Sequence, residues 1–139
     1  MARERALACG TDGIGFALVD RNILVSLPPS DFIYSRLVLQ HNPPPLMELL
    51  LRSLLRSLKE GGIAVVQLPT YIIGYEFSIS DYLRDVEKGG IEMHCLPQKR
   101  LFQIIYDSGC KLEELREDSD AGTPEVILSN TVIIGRHRH

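Results

Sequence analysis

The chain has 139 residues, of which 45% are hydrophobic and 24% charged, and this balance is typical of one globular domain with a sizeable core. The formal net charge of -3 arises from 15 basic and 18 acidic residues mixed along the chain, so we expect no nucleic-acid partner. No stretch approaches the roughly 20 apolar residues of a membrane span, so we expect a soluble, cytoplasmic protein with no membrane partner.

Three cysteines, Cys9, Cys95 and Cys110, are odd in number and widely spaced. This pattern favours reduced thiols that pack as small apolar side chains over a disulfide framework. The ending Arg-His-Arg-His, residues 136–139, resembles a metal-binding tract, but at a chain end a solvated tail is more common. We therefore predict no metal site.

Two short apolar runs predict the first two strands. Residues 14–19 follow a loop that contains Gly10 and Gly13, include Gly15 near their start, and precede Asp20, which is typical of a buried strand. Residues 32–35, with residues 37–39 beyond them, follow the turn-forming sequence Pro28-Pro29-Ser30 and predict a second strand.

Residues 46–60 predict the clearest helix. At about 100° per residue the apolar side chains fall on one half of the circumference and the charged side chains on the other. Asn42 and the three prolines that follow it suit a helix start, and Gly61-Gly62 suits the left-handed residue that ends one. The apolar set is Leu46, Met47, Leu50, Leu51, Leu54, Leu55 and Leu58.

The rest of the chain predicts three more strands and two helices. Residues 63–68 are apolar on both faces, which indicates a central parallel strand covered by helices on both sides. Residues 69–97 are mixed, with a short helix near residues 80–87 and a turn at Gly89-Gly90. A helix over residues 98–108 precedes two strands, 111–116 and 126–134, which should be antiparallel because no helix separates them.

The run DFIYSRLVLQH (31–41), the helix ending LKEGG (58–62) and the strand IAVVQ (63–67) together resemble the fourth strand, its helix and the fifth strand of class I S-adenosylmethionine-dependent methyltransferases. The later order of helix, SGCKLEEL (108–115), loop and strand resembles the reversed hairpin that ends this fold. The resemblance covers essentially the whole chain. It implies an α/β fold with an open, doubly wound, mostly parallel sheet and an antiparallel C-terminal hairpin, in a single domain that lacks the first two strands.

The resemblance also implies a cofactor, S-adenosyl-L-methionine, and a small-molecule acceptor that residues 69–97 cover. In the family, a glycine-rich turn after the first strand and an acidic residue after the second hold this cofactor. Neither is in these 139 residues, so binding is expected to be impaired. The sequence from Gly10 to Gly15 is no substitute, because its glycines lead into a strand rather than a helix.

The family alignment places the cofactor beside Asp20, Tyr34, Ser35 and Arg36. Asp20 matches a carboxylate that accepts from the adenine amino group, although it also suits a turn. The other three lie at the carboxyl end of a parallel strand, where open sheets bind ligands, although Tyr34 also suits the core.

His41 and His94 are the candidate catalytic residues. His41 matches a position near the transferred methyl group, and a histidine is suited to take a proton from a hydroxyl or amine. The alternative for His41 is a helix-entry residue that bonds to backbone, and for His94 a structural role is favoured. Tyr75 and the other aromatics of residues 69–97 either line an acceptor pocket or pack a loop.

Loss of two strands would expose an apolar sheet edge. We expect residues 14–19 either to pair with residues 32–39 or to join another copy in a homodimer. The alternative function is a non-catalytic interaction module that binds a partner chain through this edge. A receiver-like domain is less consistent with the sequence, because no acidic cluster follows its first strand.

Overall fold

The computed structural model describes residues 1–18, 20, 26–85, 92–118 and 126–137. These residues form one four-stranded sheet of order β1-β2-β4-β3 with helices between its strands. The elements in chain order are α1 (Ala2–Ala8), β1 (Ser30–Ser35), a 3-10 helix (Leu39–His41), α2 (Pro44–Ser57), β2 (Leu58–Ile72), α3 (Ile79–Asp85), α4 (Gln98–Asp107), β3 (Cys110–Asp118) and β4 (Ile127–Arg136).

The sheet is mixed. β1 runs parallel to β2, with Phe32 opposite Ile63 and Ser35 opposite Val66. β4 lies between β2 and β3 and is antiparallel to both. The α/β class and the antiparallel C-terminal hairpin predicted from the sequence are confirmed.

The core lies on one face of the sheet, under α2 and α4. Helix α2 begins at Pro44, where a missing N–H costs nothing. Met47, Leu51 and Leu55, spaced by four, are fully buried along its inner side. They pack with Leu101, Ile104 and Ile105 of α4 and with alternate strand residues, namely Ile33, Ala64, Val66, Leu68, Val132 and Ile134.

The opposite face of the sheet is poorly covered by the described residues. Phe32 and Tyr34 of β1 are 60% and 63% exposed, and Ile63 of β2 is 37% exposed. Because successive residues of a strand point to opposite faces, these side chains share the outer face. The expected helices on both sides of β2 are therefore not found in the described ranges, where α2 and α4 join one core and α1 buries none of its residues.

The predicted first strand is wrong for residues 14–18, which form no strand; Val19 lies outside the described residues. Ile14 and Leu18 are 53% and 88% exposed. A strand needs a neighbour for its backbone hydrogen bonds, and the expected pairing with residues 32–39 is absent from the described sheet.

Other predicted boundaries shift by a few residues. The helix expected to reach residue 60 ends at Ser57. Gly61 does adopt a left-handed conformation (φ 75°), but it lies inside β2, where the register between β1 and β2 shifts. A Cβ on Gly62 would lie 2.9 Å from the Lys59 carbonyl oxygen, so glycine is required there. Residues 37–39 do not continue β1. The short helix is α3, and Gly89-Gly90 lies outside the described residues.

Candidate functional site

The candidate site lies where parallel strands β1 and β2 end. β1 stops at Ser35, opposite Val66, whereas β2 continues to Ile72. The segment after β1 therefore meets residues 92–96 beside the last part of β2, where the Leu96 N–H donates to the Pro69 carbonyl oxygen at 3.0 Å. Open α/β sheets bind ligands at this edge.

Leu37 holds a strained turn just after β1. Its φ of 56° lies in the left-handed region, which is rare for a bulky residue and costs on the order of 1–3 kcal/mol. Its N–H donates to Oε1 of buried Gln67 at 2.9 Å, and Gln67 Nε2 donates to Oγ of Ser129. Gln67 thus ties the turn after β1 to both β2 and β4.

His41 ends the 3-10 helix, and its side chain is exposed. Its Nδ1 lies 3.2 Å from the Glu92 carbonyl oxygen, which is the kind of backbone bond that the alternative interpretation of His41 predicts. In the opposite direction, the His94 N–H donates to the Gln40 carbonyl oxygen at 2.8 Å. These two bonds hold residues 92–94 against the turn after β1.

His94 is buried, with 6% of its surface exposed. Its Nδ1 lies 2.8 Å from the Tyr75 hydroxyl oxygen, and its Nε2 lies 3.0 Å from a carboxylate oxygen of Glu92. The rings of Tyr75, Phe77 and Tyr82 contact the imidazole edge to face, with centroids 5.8 to 6.0 Å away. Both imidazole nitrogens are therefore bonded to side chains.

These aromatic rings line a cleft of about 280 Å³ in which His94 forms part of the wall. Burial, with the nearby Cys95 and Glu92, raises the pKa of Tyr75 to about 12, although a backbone hydrogen bond from Cys95 opposes the shift. Tyr75 therefore keeps its proton at neutral pH. The lining residues are Tyr75, Glu76, Phe77, Ser78, Asp81, Tyr82, Glu92 and His94.

A larger cleft, of about 730 Å³, lies between the amino ends of α2 and α4. Its walls include Pro44, Pro45 and Pro97 and contain no histidine or cysteine. Its charged side chains, Glu48 and Arg100, bond to each other at 2.6 and 2.8 Å. The smaller cleft therefore has more side chains that can donate or accept a proton.

The structure brings some of the predicted site residues together and not others. His41 and His94 meet at the same sheet edge, both bonded to Glu92. Ser35, 9% exposed, and the exposed Arg36 lie where β1 ends. The Tyr34 side chain lies on the uncovered outer face, and exposed Asp20 follows no strand in the described residues.

The described residues do not by themselves fit S-adenosylmethionine. Leu37 already donates its N–H to Gln67, and Tyr34 lies on the outer face. A Cβ built on Gly10, Gly13 or Gly15 meets no atom within 4 Å, so these glycines lie in open space and form no close-fitting cradle. Ser35 and Arg36 lie where β1 ends, and a role in holding the cofactor stays a prediction.

Sequence reasoning missed Glu92 and gave Tyr75 only as a possible pocket aromatic. A signal for Glu92 was present, because residues two apart in an extended segment face the same side, as Glu92 and His94 do. Within the described ranges no three His, Cys, Asp or Glu side chains are grouped to hold a metal ion. None of the described helices has the length and hydropathy needed to cross a membrane.

No family model and no curated protein matches the sequence. Solved structures match its fold. The mitomycin 7-O-methyltransferase MmcR is 18% identical with a TM-score of 0.59. Magnesium protoporphyrin IX methyltransferase from Synechocystis PCC 6803, with bound SAH, is 16% identical with a TM-score of 0.64.

The cyclase SpnF is 15% identical with a TM-score of 0.67. Alignments with these three structures cover 97%, 97% and 99% of this chain but 38%, 57% and 62% of MmcR, the magnesium protoporphyrin enzyme and SpnF, respectively. A cyclase among them means that the fold alone does not fix the reaction. The strand order β1-β2-β4-β3 and the antiparallel hairpin match the second half of this fold. The chain therefore has the C-terminal part of the class I S-adenosylmethionine-dependent methyltransferase fold.

Proposed function

We propose that this chain is part of a methyltransferase that transfers a methyl group from S-adenosylmethionine to a small-molecule acceptor. The observation that carries the proposal is the meeting of His41, Glu92 and His94 at the carboxyl ends of β1 and β2, beside an aromatic cleft of about 280 Å³. Residues 69–97 would cover the acceptor, and either histidine could accept its proton. The unpaired cysteines support a cytoplasmic protein.

Cofactor contacts would come from Ser35 and Arg36, with Asp20 and Tyr34 as further candidates. Because no close-fitting backbone turn is found among the described residues, we expect this chain to bind S-adenosylmethionine weakly. The likeness to solved structures supports the fold.

Titration calorimetry with S-adenosylmethionine tests this proposal. We expect millimolar binding that Arg36→Ala weakens, while Arg56→Ala, an exposed arginine of α2, leaves it unchanged. No heat at millimolar cofactor, or equal loss in both variants, would contradict a surviving cofactor wall.

A second function is favoured by the uncovered outer face. Within the described residues β1 pairs with β2 alone and is therefore an edge strand, and its Phe32 and Tyr34 side chains are exposed on the outer face. We propose that a second copy of this chain packs there, in a twofold dimer that serves an interaction role rather than catalysis. Light scattering should give a dimer mass; a single monomeric species at high concentration contradicts it.

A further inference from the structure

The cleft beside His94 contains a chain of polar contacts that the general methyltransferase proposal does not require. Tyr75, His94 and Glu92 are joined in sequence by contacts of 2.8 and 3.0 Å. A carboxylate accepts, so Nε2 of His94 donates to Glu92, which leaves Nδ1 of the neutral ring as an acceptor for the Tyr75 hydroxyl proton. This arrangement fixes the tautomer of His94.

A small molecule in the cleft cannot bond directly to either imidazole nitrogen without breaking one of these contacts. Tyr75, which is half-buried, and Glu92, whose side chain is 51% exposed, are the two ends of the chain, and both line the cleft. A molecule bound among the rings of Phe77, Tyr82 and Tyr75 would meet the phenol, with Glu92 at the far end of the chain.

Resting on the small-molecule acceptor of the proposed function, we propose that Tyr75 is a catalytic residue that takes the proton of an acceptor hydroxyl or amine as it passes its own proton to His94. Glu92 and His94 act through Tyr75 and are positioning residues. The acceptor class is a heteroatom nucleophile that must lose a proton.

The proton transfer balances without a further reactant. The bond from hydrogen to the acceptor heteroatom breaks, its electron pair stays on that atom, and a bond from hydrogen to Tyr75 Oη forms. The Tyr75 O–H bond breaks as Nδ1–H of His94 forms, which leaves an imidazolium beside the Glu92 carboxylate. Solvent later takes the proton from the imidazolium.

Other groups face this chain and enter any pH dependence. The raised pKa of Tyr75, caused by burial first, keeps the phenol protonated, as a relay requires. The titratable groups around His94 are Tyr75, Glu76, Asp81, Tyr82, Glu92, the adjoining Cys95 and, through the Glu92 backbone, His41.

Nitrogen NMR of the His94 ring gives the first test, which needs neither cofactor nor acceptor. We expect the proton of the neutral ring on Nε2 in the wild-type chain. A proton on Nδ1 would overturn the relay, because Tyr75 could then no longer pass its proton to that nitrogen.

The second test uses para-nitrophenol, whose phenolate absorbs visible light, buffered below its own pKa. We expect the wild-type chain to ionise the bound probe, and the visible absorbance to be lost in Tyr75→Phe and His94→Gln. Glu92→Gln keeps a bonding partner for His94 but removes the charge, so its absorbance should fall with the fold intact. Tyr106→Phe, which removes the hydroxyl of an exposed tyrosine on α4 outside the cleft, is the matched control and should match wild type.

No ionisation by the wild-type chain, or equal ionisation by Tyr75→Phe and Tyr106→Phe, overturns the relay. The proposed function fails separately. If the probe ionises in a Tyr75-dependent way but no methyl transfer is found, the relay stands and the methyltransferase proposal does not.

Discussion

Leu37 shows how a single residue stores strain at the edge of the site. Replacement by glycine removes the steric cost of φ 56° and keeps the N–H that donates to Gln67. Glycine also gives the unfolded chain more conformational freedom, which cancels about 0.5–1 kcal/mol of that gain in stability. We expect urea unfolding of Leu37→Gly to give a free energy that is unchanged or higher by up to ~1 kcal/mol.

Leu49 is the matched control for Leu37, because it is 50% exposed but lies within α2. Leu49→Gly should lower the free energy of unfolding by about 1 kcal/mol. Equal losses in the two glycine variants would mean that Leu37 carries no strain.

Two buried glutamines should respond differently to the same substitution. Gln67→Met leaves the Leu37 N–H and the Ser129 hydroxyl without their partner, which should lower the free energy of unfolding by about 2 kcal/mol. Gln40→Met removes a buried Oε1 that has no partner in the described structure, so it should change this energy by less than about 1 kcal/mol. Urea unfolding measures the free energy of unfolding of both variants. A larger decrease for Gln40→Met than for Gln67→Met would contradict this account.

Between helices, Glu48 of α2 accepts bonds from Arg100 of α4 and from Arg52. Hydrogen bonds from Arg100, followed by those from Arg52, lower the pKa of Glu48 despite its partial burial. A lowered folded-state pKa stabilises the fold at pH values above the unfolded pKa, and this contribution is lost as the pH falls through the folded value.

Glu48→Gln should therefore lower the free energy of unfolding near neutral pH by about 0.5–1 kcal/mol, after allowance for solvent screening, and have little effect in acid. Thermal unfolding at the two pH values measures the difference. Glu60→Gln, on an exposed side chain, is the control and should be neutral at both. A pH-independent loss in Glu48→Gln would point to packing instead of charge.

Elements with a repeating apolar pattern and end signals were predictable from the sequence. Helix α2 follows from leucine spacing with prolines before it, and helix α4 follows from isoleucine spacing with Gly109 after it. The last two strands follow from the absence of a helix between them in the sequence. Residues 14–18 failed because strand formation depends on a neighbour that local sequence does not supply.

The site was predictable in part. The rule that open sheets bind ligands at the carboxyl ends of parallel strands pointed to Ser35 and Arg36, and the family resemblance pointed to His41. Tyr75 contacts His94 from 19 positions away, and no local period in the sequence marks which side chains meet over that distance. Leu37 followed an apolar run, so its left-handed turn was missed.

For the whole molecule, the proposed dimer depends on the outer face of the sheet, which the described residues leave largely uncovered. Tyr34→Lys places a charge on this face, and we expect the dimer fraction measured by analytical ultracentrifugation to fall at least tenfold, because burying an unpaired ammonium is costly. Tyr106→Lys, on an 80% exposed tyrosine of α4, should leave it unchanged. If the two lysine substitutions changed the dimer fraction equally, the dimer contact would not lie on this face.

The unequal lengths of β1 and β2 have a consequence for local opening. Residues 63–66 are bonded to strands on both sides, whereas residues 67–72 pair with β4 alone. Backbone amides of the second stretch should exchange with deuterated water faster than those of the first, since fewer contacts must separate. The cleft could then open locally and admit a molecule while the hydrophobic core stays folded. Equal protection of all β2 amides against hydrogen exchange would rule this out.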